Sequence, residues 1–429
     1  MITSIDKRIP FLKALRHRQF TLLWSGQFIS TLGDGLFRIA LAWTVLQLTG
    51  SALAMGAVFF ASLVPTIAFA LLGGVAADRL PRRLIMLCSD AGRGVIVALV
   101  AVLALGHLLQ FWHLVVLSLL FGIADGFFTP SYQSIIPQLV KDEALQPANA
   151  LIQSSSELSR LLGPVLGAIV LAVTGGQSAA FALDSLSFFV SAGCLIALRL
   201  PPPTADAQSA LEDGLAARTS RLEATGSVLT DIRAGLSYVL KAPWLWITIL
   251  LTAVSNVTFS APFAAVLPKL VHDFYQAGPA LFGVLVGADA AGFLAASLML
   301  GFLHLRRRGV VAYSTLLLSC AGLAVLGLPL PHVYAPVIAA AACICTGLGI
   351  GTYTVLTMTL LQELVPDVMM GRVMSIDMAG SFLLLPIGLF LVGGLADHIG
   401  PAPVFMVGGG VSLLLAAAGL CIRSIRDLE

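Results

Sequence analysis

The run TLGDGLFRIALAW, residues 31–43, sets an acid and a base inside an apolar segment, with Asp34 and Arg38 about midway between Phe20 and Leu48. Other charges stand in apolar surroundings too: Asp90 and Arg93, Asp125, Glu157 and Arg160, Asp184 and Asp289, with Glu363 and Asp377 near segment ends. A charge at the centre of a bilayer costs roughly 2.5–3.5 kcal/mol on insertion scales, so such residues are expected to face a wet cavity or a partner. Asp34/Arg38 is an i,i+4 pair, while Asp90/Arg93 and Glu157/Arg160 are i,i+3 pairs, with the acid first each time. A carboxylate in a half-dry cavity can take up and carry a proton. Asp34 lies about 14 residues into its segment, about 21 Å at the α-helical rise. Asp125 has no evident i+4 base. Depth and the lack of surplus partners make Asp34 and Asp125 the expected proton-linked acids, with Arg38 tuning Asp34. A permanent Asp34–Arg38 ion pair is the alternative. Asp90/Arg93, nearer a segment end, reads as a structural latch.

These charges need a scaffold, and composition says which. Of 429 residues, 58% are hydrophobic and 11% charged, where a soluble domain carries about 25% charged residues. The chain therefore reads as an all-α membrane protein. Spanning a bilayer takes about 20 apolar residues as helix. Twelve segments qualify: 19–48, 51–77, 84–106, 112–137, 147–173, 178–199, 243–268, 279–303, 310–329, 333–362, 371–396 and 402–423. The expected organisation is a 1–18 arm, a six-helix bundle over 19–199, a polar loop over 200–242, a second six-helix bundle over 243–423, and a 424–429 tail. The loop opens on Pro201-Pro202-Pro203, which predicts limited helix there. The two bundles are expected to be pseudo-symmetric: setting Val140 on Val365 gives an offset of 225, and the same offset sets Gly163 on Gly388.

Twenty of the 24 Lys and Arg fall on one side of this topology, and only Lys269 falls in an opposite-side loop. By the positive-inside rule both termini are cytoplasmic. The net charge of +2 gives no reason to expect a nucleic-acid partner. The start lacks the short apolar core and cleavage site of a signal peptide. The six cysteines fall in or beside apolar spans without redox or zinc spacing, so free packing thiols are expected. The seven histidines show no metal spacing, and no phosphate-cradling GxxxxGK[ST] run occurs. No metal, no cofactor and no enzymatic constellation is expected.

Three motifs remain. GGVAADRLPRR (73–83) closes the second span, and Gly73 and Gly74 there suit close helix contact. RLLGPVLGAIV (160–170) puts Gly163-Pro164 and Gly167 inside the fifth span, where proline removes a backbone bond and bends the helix. Gly33-Asp34, Asn149 with Leu151, and Gly371–Ser375 stand at three further span positions. With these the chain resembles the major facilitator superfamily, in the drug/proton antiporter-like branch that contains macrolide-efflux and enterobactin exporters. Gly74, Asp78, Arg79, Arg82 and Arg83 match its cytoplasmic gating motif, with Pro81 where the family has glycine. Gly163, Pro164 and Gly167 match its antiporter motif in helix five. The fourth-helix motif is broken: with Gly126 as its glycine, Gly122 replaces the arginine and Asp125 the glutamine.

The resemblance implies a secondary active exporter of amphipathic or hydrophobic small molecules, such as drugs or toxic metabolites. It implies proton antiport, alternating access of two halves around a midplane site, a bacterial cytoplasmic membrane and a monomer in the lipid bilayer. The alternative is a dedicated exporter of one metabolite such as a siderophore, or a lipid transporter. Phe37, Trp43, Phe128, Tyr132, Phe259 and Tyr353 are the expected aromatic wall of the substrate cavity.

Overall fold

The computed structural model describes residues 14–140, 142–199, 225–300, 305–329, 331 and 334–428. Twelve helices are long and apolar enough to cross a membrane. The first six are α1 (Arg18–Thr49), α2 (Ala52–Arg79), α3 (Arg82–Leu105), α4 (Phe111–Leu139), α5 (Asp142–Thr174) and α6 (Ser178–Ala197). A shorter helix, α7 (Thr225–Lys241), precedes the second set. That set comprises α8 (Pro243–Phe274), α9 (Pro279–Leu300), α10 (Arg308–Leu326) and α11 (Ala335–Leu364). It continues with a span in two pieces, α12 (Asp367–Phe382) and α13 (Leu385–Ile399), then α14 (Pro401–Cys421), and ends on the short α15 (Arg423–Arg426).

Local chemistry explains the irregular places. Pro262 and Pro268 lie inside α8, where each removes a backbone donor. The backbone responds with three wide π-type stretches, Asn256–Ser260, Pro262–Val266 and Leu270–Phe274. The break between α12 and α13 falls at Leu383-Leu384, just ahead of Pro386. The 200–242 loop departs from expectation. It holds the 17-residue α7, which buries Val239 against Leu361, Val365 and Val373. The triple proline misleads here because a helix that begins 22 residues after Pro203 takes its stability from tertiary packing.

Short residues let the spans approach closely. Gly35 of α1 and Gly163 of α5 face each other, and a Cβ on Gly35 would lie 2.5 Å from the Gly163 Cα. The second half repeats the crossing, with Gly388 of α13 against Val257 of α8. Leu32, which neighbours Gly163, and Val257 are 225 apart, as are Gly163 and Gly388. In the 73–83 motif it is Gly73, not Gly74, that makes the contact. A Cβ on Gly73 would meet the Gly126 carbonyl at 2.5 Å, whereas Gly74 has open space.

With an even number of spans both termini share one face, called the terminal face below. The packed seams between the halves lie toward the other face. There α2 meets α13 and α5 meets α9. A Cβ on Gly393 would stand 2.5 Å from the Ala52 carbonyl, and one on Gly287 would stand 2.6 Å from Val165.

Candidate functional site

Among the described residues a cavity lies in each half. The first is lined from α1, α3, α4 and α5, and holds Asp34, Arg93 and Asp125. The second is lined from α8, α10, α11 and α14. They are one site built twice. Gln27/Thr252, Ser30/Ser255, Thr31/Asn256, Asp34/Phe259, Asp125/Ile350 and Phe128/Tyr353 are all 225 apart, and each pair lines the two cavities. The first copy has the ions. In the second, the apolar Phe259 and Ile350 stand at the positions of Asp34 and Asp125.

The ionic copy is organised by Arg93, not by Arg38. Arg93 is ion-paired with Asp90 one turn back on α3. Its Nη1 donates to Asp125 Oδ1 of α4 at 3.1 Å. The guanidinium also lies 4.3 Å from the Phe128 ring centre and 4.7 Å from that of Phe188, a favourable stacking of cation on aromatic faces. Asp90 is fully buried. Its Oδ2 accepts from Ser191 Oγ at 2.6 Å and from Gln27 Nε2 at 3.4 Å. Gln27 Nε2 also donates to Ser191 Oγ at 2.7 Å. These bonds satisfy a carboxylate that would otherwise be costly to bury.

Asp34 opens on the same cavity. No ion pair joins it to Arg38, whose side chain is exposed. Helical spacing puts them near each other, yet the two side chains do not come within ion-pair distance. Asp125 likewise differs from expectation, since its base comes from α3. The expected latch Asp90/Arg93 lies in the cavity wall. Nothing in local spacing announces the Arg93–Asp125 contact, which joins residues 32 apart. Next to Asp34, Gly33 abuts Asp184 of α6. Asp184 is fully buried and accepts from Ser187 Oγ at 3.3 Å, while its Oδ2 has no partner among the described residues.

The six aromatic candidates divide. Phe128 and Tyr132 stack on each other in the ionic cavity, and Phe259 and Tyr353 line the neutral one. Phe37 points into the first bundle, against Phe121 and Phe181. Trp43 sits at the seam between halves, edge-on to His272 of α8. In the neutral cavity the Tyr353 hydroxyl pairs with Thr252 at 2.9 Å and the Tyr313 hydroxyl with Thr248 at 3.2 Å.

The remaining motif residues are structural in their contacts. Arg82 donates to the Ser134 carbonyl at 2.7 Å, Arg83 donates to the Leu195 and Ile196 carbonyls at 2.6 Å, and Arg79 is exposed. The Asp78 side chain lies outside the described residues. Gly167 packs on Leu36, and the Pro164 carbonyl faces Gly283 of the other half. Among the described residues no group of three or more His, Cys, Asp or Glu could hold a metal ion, and all six cysteines are free.

On the face opposite the termini a polar cluster joins the halves. Asp397, near the end of α13, accepts from the Ala52 N–H at 2.9 Å, the Leu53 N–H at 3.0 Å and Ser51 Oγ at 2.5 Å. Ser51 in turn accepts from the Ala54 N–H at 3.1 Å. The first donors of α2 are thus capped from the other half. Lys269 of α8 is ion-paired with Asp397 and donates to the Gly50 carbonyl at 3.0 Å.

Comparison with known proteins agrees with this architecture. The model of the Major Facilitator Superfamily matches residues 23–384. The chain belongs to this superfamily. Members of this superfamily are transporters of small molecules, so the cavities belong to a transporter and not to an enzyme. Macrolide efflux protein A of Streptococcus pyogenes is 24% identical over 413 residues, covering 96% of this chain and 97% of the relative. Multidrug efflux pump Tap of Mycolicibacterium fortuitum is 27% identical over 407 residues, covering 92% and 94%. Among solved structures, a bacterial homologue of the iron transporter ferroportin in an inward-facing state superposes with a TM-score of 0.70. It is 15% identical and covers 94% of this chain and 99% of that one.

Proposed function

We propose that the superfamily member described here is a proton-coupled exporter of amphipathic small molecules, working by alternating access. The observation that carries the reading is the ionic cavity. It brings two acids from different helices, Asp34 and Asp125, to one water-sized space beside a single buried arginine. Asp34 has no ion pair there, so a change in its charge breaks no salt bridge. The second copy of the cavity, without ions, supplies an apolar and hydroxyl-bearing wall suited to uncharged parts of a cargo.

The Lys and Arg distribution supports a cytoplasmic terminal face, and the bacterial efflux relatives support a bacterial membrane. The Asp397–Lys269 cluster is then on the outer face, and this conformer is the one open inward. The efflux relatives support drug-like cargo and outward transport. The protein works as a monomer in this reading, since each chain carries both halves.

The test is transport into inside-out proteoliposomes under an imposed pH gradient, with a panel including erythromycin and ethidium. Several unrelated compounds accumulate, and each releases protons in step. Asp34→Asn lowers gradient-driven accumulation by about tenfold or more while leaving exchange at equal pH. Full proton-driven transport by Asp34→Asn removes Asp34 from the mechanism. Movement of one compound only turns the reading to a dedicated exporter.

A further inference from the structure

The superfamily's fourth-helix arginine has no counterpart at its own position, and the structure gives the steric reason. Gly122 lies where α4 crosses α2, and a Cβ built on it would collide with the Ser62 carbonyl oxygen. A side chain there forces the two helices apart. Yet a guanidinium does enter the cavity one turn along α4, beside Asp125. It arrives from α3. The Arg93 side chain is 5% exposed, against 31% for Asp125. It is tied to Asp90 behind and to Asp125 in front, and its Nε has no partner among the described residues.

We propose that Arg93 is the counter-ion that Asp125 and Asp34 share in turn. It is a positioning residue, and the proposal rests on the proton-coupled reading above. Asp90 is the fixed partner, since Ser191 and Gln27 hold its other oxygen. Asp125 is the exchangeable partner, because it is open enough to meet water. When the Asp125 carboxylate takes a proton from cavity water, an O–H bond forms, its negative charge is lost, and the contact with Arg93 loses its Coulombic part. The guanidinium stays on Asp90 and turns its free N–H groups toward Asp34, the other carboxylate of the cavity. Loss of the proton to water reverses the step. The charged groups around Arg93 are Asp34 and Arg38 on α1, Asp90 on its own helix, Asp125 on α4 and Asp184 on α6.

The experiment compares wild type, Arg93→Lys, Arg93→Gln and the double variant Asp90→Asn/Arg93→Gln in proteoliposomes, with erythromycin and ethidium as probes. The double variant removes the buried pair together, so no unpaired Asp90 charge remains to unfold the protein. Exchange at equal pH reads cargo handling, and accumulation under a pH gradient reads coupling. Arg93→Gln and the double variant are expected to keep exchange within about twofold and to lose about tenfold or more of gradient-driven accumulation, with Arg93→Lys restoring much of it. Wild-type accumulation by Arg93→Gln or the double variant overturns the proposal and leaves the coupled reading standing. Parallel loss of exchange and accumulation in both glutamine variants and in Arg93→Lys makes Arg93 a structural staple and also overturns it. Failure of wild type to accumulate either probe under the gradient overturns the coupled reading and this proposal together.

Discussion

Asp34 lines the ionic cavity and Asp90 lies buried behind its arginine, and the two depend on their neighbours in opposite ways. Asp90 is enclosed by Arg93, Ser191 and Gln27. Asp90→Ala leaves Arg93 without its fixed partner, and the loss of one member of a buried pair costs about 3–5 kcal/mol. Thermal unfolding in detergent is expected to fall by several degrees in that variant and to stay near wild type in Asp34→Asn. At this scale the sequence is informative about which charges are buried and about the Asp90/Arg93 pair one turn apart, and blind to the contacts that cross between helices. Asp34, Asp90, Arg93 and Asp125 all stand out as charges in apolar runs. The pairing between helices does not, because spacing along one helix favours Arg38 for Asp34, while the contact that organises the cavity crosses from α3 to α4. Gly122 was the available signal: a missing arginine asks where its charge went.

Among elements, the crossing of α2 with α4 makes a sharp contrast between adjacent residues. Gly73→Ala pushes a methyl into the Gly126 carbonyl and the Phe127 backbone, an overpacking worth about 1–3 kcal/mol. Gly74→Ala meets nothing, and replaces a poor helix former by the best, a gain of up to about 1 kcal/mol. Melting temperatures of the two purified variants are expected to move in opposite directions. The spans themselves were legible from apolar length, and most of their ends lie within a few residues of expectation. The eighth helix runs on to Phe274, beyond the expected 268, because its wide π-type turns carry the helix past Pro262 and Pro268. α7 was not legible. Its apolar residues are few, and Val239 gains its burial from α11 and α12, which are more than 100 residues away in the chain.

For the whole molecule, under the proposed alternating access, the seam between halves decides which conformer is populated. Asp397→Asn or Lys269→Gln removes a charge-assisted contact worth about 1.5–3 kcal/mol, and so shifts the ratio of conformers by about tenfold or more. Spin-label distances across the face opposite the termini are expected to lengthen in both variants. Conversely, Ala52→Cys with Gly393→Cys, in a background with the six native cysteines replaced, is expected to cross-link and stop transport until reduced. The repeat was visible in the sequence as two residue pairs at one offset, but only the fold extends it to both cavities. That repetition has a historical consequence. Under the proposed proton coupling a duplicated bundle needs one set of ions to draw on an energy source, and Asp34, Arg93 and Asp125 are all in the first copy. Phe259 and Ile350 hold the places of Asp34 and Asp125 in the second without charge. Adaptation to an unfamiliar toxin can therefore proceed in the second copy, by exchanges of neutral side chains, while the inherited ionic machinery stays untouched.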